Sequence, residues 1–253
     1  MEKEITGFEV DVLAIGPHPD DVDLCCGGVL LRLHKLGYKT AIVDLTRGEM
    51  GNEGTPEIRA EEAERARELL GVSYRENLGL PDTGVEDTME NRFRVACVIR
   101  KYRPRLILSP FYEAHPPGRG LGHTDHYKAG HLISNAHNLA HLKKVDCPYP
   151  PHYARAVFYY MLPPRITPTF VVDVTEHYER WLEAVFAFKS QFASADPEHN
   201  ARVKAYFTTW AQYWGSLIGA KYGQPFYTPQ PLAVYDPMEL VKVPHPMWEG
   251  RES

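Results

Sequence analysis

The sequence predicts an α/β protein of the Rossmann-like class, a mostly parallel sheet with helices on both faces. Two observations carry this. Short apolar, β-rich runs recur along the 253 residues, each closed by glycine, proline or polar turn residues, and segments of helical character separate them. Strands that alternate with helices pair in parallel, and such a sheet is covered on both sides.

Taken in order, residues 10–15 (Val-Asp-Val-Leu-Ala-Ile) form a buried strand closed by Gly16-Pro17. Gly27-Gly28 opens a helix over 29–36 that stops at Gly37, and residues 40–45 are the second strand. A glycine-rich loop, 47–54, leads to Thr55-Pro56, an N-cap followed by proline at the first helical position. The helix over 56–70 sets Ala63, Ala66 and Leu70 on one face and ends at Gly71. Residues 74–80 are a third strand ended by Pro81-Asp82-Thr83-Gly84, 92–101 a helix, and 105–109 the fourth strand. A long loop, 110–122, ends at His123; a helix over 125–142 follows, with Ala129, Ile133, Ala136 and Ala140 as its stripe. Residues 154–160 and 170–174 read as further strands, then helices at 175–192 and 198–214. From residue 225 the chain carries six prolines with Phe226, Tyr227 and Trp248, a tail expected to lie extended on its own or a neighbouring subunit's surface. With no internal repeat or low-complexity tract, residues 1–253 read as a single domain.

Composition narrows the function. A net charge of −5 gives no basic field for nucleic acid or an anionic membrane. No apolar run approaches the roughly 20 residues that span a bilayer. The polar start Met-Glu-Lys-Glu-Ile-Thr-Gly is not a secretory signal, which points to a cytoplasmic protein. Cysteines at 25, 26, 97 and 147 make neither a disulfide framework nor a Cys-x-x-Cys zinc pattern, and Cys25 and Cys26 read as small buried side chains. Histidine, at 12 residues, is the one excess, and its placement matters.

His18-Pro19-Asp20-Asp21 follows the first strand and His123-Thr124-Asp125-His126 follows the fourth. In a doubly wound sheet these strands are often neighbours, and ligands bind in the crevice at their carboxyl ends. Two loops about 100 residues apart would meet there, offering three imidazole or carboxylate ligands plus spare acid/base groups. Two histidines and a carboxylate with an open position are the composition of a hydrolytic zinc site. Taken singly, each cluster also reads as a turn or helix start with a capping aspartate.

The strand-His-Pro-Asp-Asp start, Thr46-Arg47-Gly48-Glu49-Met50-Gly51, Gly54-Thr55-Pro56-Glu57-Ile58-Arg59 and His123-x-Asp125-His126 together resemble the LmbE/PIG-L family of zinc-dependent N-acetylglucosamine-type deacetylases. The likeness runs from about residue 10 to 192, and the 222–226 stretch extends it. Leu80-Pro81-Asp82 and Lys189-Ser190-Gln191-Phe192 place it nearest the branch that deacetylates N-acetylglucosaminyl-malate in bacillithiol biosynthesis. The resemblance implies one Zn2+ per subunit on His18, Asp21 and His126, with Fe2+ or another divalent ion as the alternative. It makes Asp20 the general base, His123 the general acid or oxyanion stabiliser, and Asp125 the carboxylate that orients His123. Arg59 sits where the family holds substrate. Gly122 stands where the bacillithiol branch has arginine; Arg119, in the longer preceding loop, is the candidate replacement, and His115 a candidate pocket residue. Gln224 stands where the family often has glutamate. The implied partner is a small amino-sugar conjugate, N-acetylglucosaminyl-malate first, with an inositol, chitobiose-type or thiol S-conjugate as the alternatives. Hexameric members and the aromatics Trp210, Tyr213, Trp214, Tyr222, Phe226 and Tyr227 imply a homo-oligomer.

The chemistry agrees. Zinc lowers the pKa of water towards about 7 and polarises an amide carbonyl. Asp20 beside a ligand can take the proton, and His123, three residues from His126, can face the oxyanion. His137 lies about 16 Å along the helix from His126 and cannot share a metal. Competing readings are a two-His-one-carboxylate iron(II) oxygenase, a nucleotide-binding module, which lacks the Gly-x-Gly-x-x-Gly turn, and a non-catalytic sugar-binding protein.

Overall fold

The computed structural model describes residues 8–115 and 122–241. Val12–Gly16 (β1) is buried throughout, and its side chains alternate between two cores: Val12 and Ala14 join one, Leu13 and Ile15 the other. Such a strand needs partners on both edges and helices above and below. Thr40–Thr46 (β2), Tyr74–Leu80 (β3), Leu106–Pro110 (β4) and Ala156–Tyr160 (β5) complete a five-stranded parallel sheet ordered β3-β2-β1-β4-β5. The expected contact of the first and fourth strands is present, with Val12 opposite Leu106 and Ala14 opposite Leu108.

Met89–Tyr102 (α3) and Thr124–Ala140 (α4) cover one face; Asp21–Lys35 (α1), Pro56–Leu70 (α2) and Tyr178–Val185 (α5) pack on the other. The α4 stripe is as read, with Ala129, Ile133, Ala136 and Ala140 fully buried. Beside it, a Cβ on Gly130 would lie 2.6 Å from the Pro110 carbonyl oxygen and 2.8 Å from Tyr112 Cα, so glycine lets α4 close against the chain leaving β4. For α2, Thr55 accepts from the Ile58 N–H and Gly71, at φ 68°, ends the helix.

The first helix begins at Asp21, not after Gly27-Gly28. Those glycines lie inside α1, where a Cβ at 27 would sit 2.6 Å from Trp181 and one at 28 would sit 2.9 Å from Val174. They are sites of close approach, which a sequence cannot distinguish from a helix boundary. The expected helix over 175–192 is broken into a 3-10 turn (Thr175–His177), α5 and a short Lys189–Phe192 (α6). Phe170–Asp173 (β6) leaves the main sheet and pairs antiparallel with Gly223–Phe226 (β7). The tail therefore starts as a buried strand: Gln224 is fully buried and accepts from the Val29 N–H at 2.9 Å. Residues 229–238 are exposed, as expected, while Trp248 lies outside the described residues. Tyr222 and Phe226, read as subunit-interface aromatics, instead serve this chain's core, Tyr222 stacking on Tyr178 at 3.7 Å.

Two further features were not read from the sequence. Cys97 and Cys147 form a disulfide between α3 and the loop after α4, Cα atoms 5.7 Å apart. Arg75 on β3 is buried and paired with both Asp23 of α1, at 2.9 Å, and Asp44 of β2, at 2.8 Å. Among the described residues no helix is long and apolar enough to cross a membrane.

Candidate metal centre and active site

β1 ends at Gly16, and Pro17 to Asp20 make the turn into α1. Asp20, the residue before the helix, has φ 144°. A side chain in that region carries strain of order 1–3 kcal/mol and persists where its surroundings hold it. Arg59 does so: its Nη2 donates to the Pro19 carbonyl at 2.8 Å and to Asp20 Oδ2 at 3.2 Å, and Nη1 donates to the Gly48 carbonyl. Asp21 then falls in the first turn of α1, beside His18.

His123 caps α4, its Nδ1 accepting from the Asp125 N–H at 3.2 Å, and His126 lies on the first turn. Because β1 and β4 are neighbours, the two loops meet: the His18 ring is 5.0 Å from His123 and 5.6 Å from His126. His18 Nδ1 is 3.0 Å from Asp21 Oδ2, and His126 Nε2 is 3.4 Å from Asp21 Oδ1. Ligand atoms of His18, Asp21 and His126 all lie within 4.8 Å of one another. Two imidazoles and a carboxylate converging so closely fit a divalent cation.

The far nitrogen of His18 meets two carboxylates, Asp82 Oδ1 at 3.1 Å and Asp125 Oδ2 at 3.5 Å. A carboxylate behind a metal-binding histidine fixes its tautomer and raises its basicity. In the sequence Asp82 stands only in a turn and in the Leu80-Pro81-Asp82 likeness, with no role at the ion assigned to it. The available signal was its position at the carboxyl end of a strand in the same sheet. Asp82 is itself oriented by the Met50 and Thr83 N–H groups, each at 2.8 Å. Asp125, expected to hold His123, touches it through its backbone; its Oδ2 accepts from the Thr83 N–H and its buried Oδ1 has no hydrogen-bond partner.

The adjacent aspartates are driven apart electrostatically. Burial and the Asp21 charge push the Asp20 carboxyl up to about 8, against the pull of Arg59. Burial would raise Asp21 too, but His126 and His18 hold it far below the ordinary carboxylate range. Burial disfavours a charged His18, yet hydrogen bonds to Asp125, Asp21 and Asp82 push it up to about 12. Burial and the neighbouring His18 charge depress His123, which keeps its ring neutral. Neighbouring groups with separated proton affinities are how one site holds both a base and a ligand.

These residues line a cavity of about 630 Å³ that also reaches Met50, Phe192 and Tyr206. Arg59 borders it, but two of its nitrogens are taken up by Asp20 and backbone carbonyls, and its Nε has no hydrogen-bond partner. His115 is hydrogen-bonded through Nε2 to the Met161 carbonyl at 2.8 Å, and Arg119 lies outside the described residues. His137 bonds the Ala154 carbonyl and stacks on Tyr153, a packing role as expected.

Residues 13–137 match the PIG-L family, GlcNAc-PI de-N-acetylase. Diacetylchitobiose deacetylase of Thermococcus kodakarensis is 34% identical over 231 residues, spanning 84% of this chain and 80% of that protein. The chain belongs to the PIG-L/LmbE deacetylase family. A probable N-acetyl-alpha-D-glucosaminyl L-malate deacetylase 2 of Bacillus anthracis is 29% identical over 198 residues, 74% of this chain and 83% of that protein. The conserved protein TT1542 from Thermus thermophilus shares the fold at a TM-score of 0.79 and 38% identity, covering 90% of this chain and 98% of that one. Like its relatives, this PIG-L family member is a deacetylase, a hydrolase of amide C–N bonds. The family is metal-dependent, and the His18, Asp21 and His126 cluster is this chain's candidate for the ion.

Proposed function

We propose that the chain is a zinc-dependent N-deacetylase of an N-acetylglucosamine conjugate. The observation that carries this is the meeting of His18, Asp21 and His126 with Asp20 and His123 at the seam between β1 and β4. His18, Asp21 and His126 would hold the ion, which would supply Lewis acidity to the acetyl carbonyl and to water. Asp20 takes the proton from the attacking water; burial and the Asp21 charge raise its proton affinity, which makes it an effective acceptor. His123 has Nδ1 engaged by the Asp125 N–H, so its neutral ring carries the proton on Nε2. That N–H meets the acetyl oxygen as negative charge builds and keeps its proton, while the proton Asp20 took from water passes to the departing amine. Arg59 holds Asp20 in place.

For the conjugate, we favour a neutral partner of the diacetylchitobiose type. Among the described residues lining the cavity, Arg59 is the sole guanidinium or ammonium and is committed to Asp20. A malate conjugate is the second reading, favoured by the Bacillus relative, and would rely on Arg119 for its carboxylates. The proposal includes one zinc per subunit, with Fe2+ as the alternative, and a cytoplasmic homo-oligomer; metal analysis and sedimentation test these. Asp20→Ala decides the mechanism. It is expected to keep zinc and lose about 10²- to 10⁴-fold in kcat, and survival of free-amine release from an N-acetylglucosaminide would overturn the reading. Assays on diacetylchitobiose, N-acetylglucosaminyl-malate and its inositol analogue rank the conjugates.

A further inference from the structure

One wall of the active-site cavity takes no part in the chemistry above. Leu24 of α1, Phe192 of α6, and Tyr206 and Phe207 of Pro197–Ser216 (α7) form it. The Phe192 and Phe207 rings meet edge to face at 5.5 Å, and Tyr206 and Phe207 at 5.4 Å. Leu24, Tyr206 and Phe207 also line a small apolar recess with Cys25 and Trp210. Leu24, Phe192 and Phe207 also pack against the core of this face, but Tyr206 is 62% exposed, so core packing does not account for its ring. Asn52 and Gln191 are neutral polar groups in the same lining, Gln191 with its Nε2 donating to the Glu53 carbonyl at 2.8 Å.

Aromatic rings in a cavity that also carries amide side chains match a pyranose, whose ring has C–H groups to lay on an aromatic plane and hydroxyls around its rim. A dicarboxylate would find only the committed Arg59 among the described lining residues. We propose that Tyr206 and Phe207, backed by Phe192 and Leu24, are a stacking subsite for a second, neutral pyranose linked to the N-acetylglucosamine being deacetylated. This rests on the deacetylase reading. It makes the two α7 aromatics specificity determinants, selecting conjugates by the ring they carry.

The test uses the zinc-loaded full chain, with N,N'-diacetylchitobiose and N-acetylglucosamine as paired substrates, and Tyr206→Ala and Phe207→Leu as variants. Each variant is expected to lower the ratio of kcat/KM for the disaccharide over the monosaccharide by about tenfold, the worth of one aromatic contact. Saturation-transfer NMR on the disaccharide supplies a readout independent of turnover. Binding that depends on Tyr206 without acetate release sinks the deacetylase reading and keeps the subsite. Acetate release with an unchanged ratio in both variants sinks the subsite and keeps the deacetylase. A protein that neither binds nor hydrolyses the disaccharide overturns both. Tyr206, Tyr213 and Leu217 share one exposed face of α7. Equal losses on both substrates with a changed sedimentation coefficient would make that face a subunit contact and overturn the proposal.

Discussion

Asp82→Asn tests whether the carboxylate behind His18 governs the metal site. Both Asp82 oxygens accept: Oδ1 from the Thr83 N–H at 2.8 Å and from His18 Nε2 at 3.1 Å, Oδ2 from the Met50 N–H at 2.8 Å. An asparagine has one acceptor, so either orientation sets an NH2 group against a donor. The Asp82 side chain is only 5% exposed, which leaves water little access to repair the loss. A hydrogen bond to a charged partner is worth about 1.5–3 kcal/mol. Loss of a carboxylate behind a metal ligand costs about 10- to 100-fold in affinity, or about 1.4–2.7 kcal/mol. The two routes agree, and Asp125 Oδ2, 3.5 Å from the same nitrogen, keeps the expected loss in the lower half of that range. Competition with a chromophoric zinc chelator reads the Kd directly. An unchanged Kd would refute the argument, and a fall in kcat at unchanged Kd would reassign Asp82 to the substrate.

The remaining predictions concern protons and packing. In the metal-free protein burial opposes a charged His18 but hydrogen bonds to Asp125, Asp21 and Asp82 hold its pKa at about 12, so the ring is charged at neutral pH. Zinc must displace that proton, and because protons compete, apparent affinity rises about tenfold per pH unit through the neutral range; calorimetry in two buffers that shows no proton release contradicts this. Arg75→Met strands the buried Asp23 and Asp44 carboxylates and is expected to cost about 3–5 kcal/mol in urea unfolding; a stability equal to wild type would show those carboxylates neutral in the fold. Gly130→Ala presses on backbone at Pro110 and Tyr112, costs about 1–3 kcal/mol, and weakens zinc binding by shifting the turn that carries His126. A Tm loss with intact zinc affinity would separate the packing from the site.

Much of this was legible because strands buried on both faces leave short apolar runs, and because the metal-site residues sit in two compact segments. Strand-end histidine and aspartate clusters, with a neighbour relation inferred from strand order, were enough to bring the 18–21 and 123–126 segments together; the choice of His18, Asp21 and His126 among them rests on the family resemblance. Asp82 escaped since a single aspartate in Pro81-Asp82-Thr83-Gly84 has the composition of an ordinary turn. The α1 boundary was misplaced for a related reason. Gly27 and Gly28 interrupt helical propensity, and only the Trp181 and Val174 side chains lying against them explain why they are there. The β6–β7 pair and the Arg75 network join residues far apart in sequence, so local periodicity carries no trace of them.

The adjacency of β1 and β4 has a consequence for how the protein reaches its native state. His18 and Asp21 leave the first strand synthesised, while His126 follows the fourth, and β2, α2, β3 and α3 lie between them in the chain. The three residues come together only once β4 has docked on β1 across that intervening stretch, a non-local pairing of the slow kind. An ion held by these three residues would therefore recognise the paired β1–β4 seam, and by mass action would add about 4 kcal/mol of stability at a thousandfold excess over its Kd. Uptake of a divalent ion during refolding is then a clock for the docking of β4 on β1, running no faster than that pairing forms.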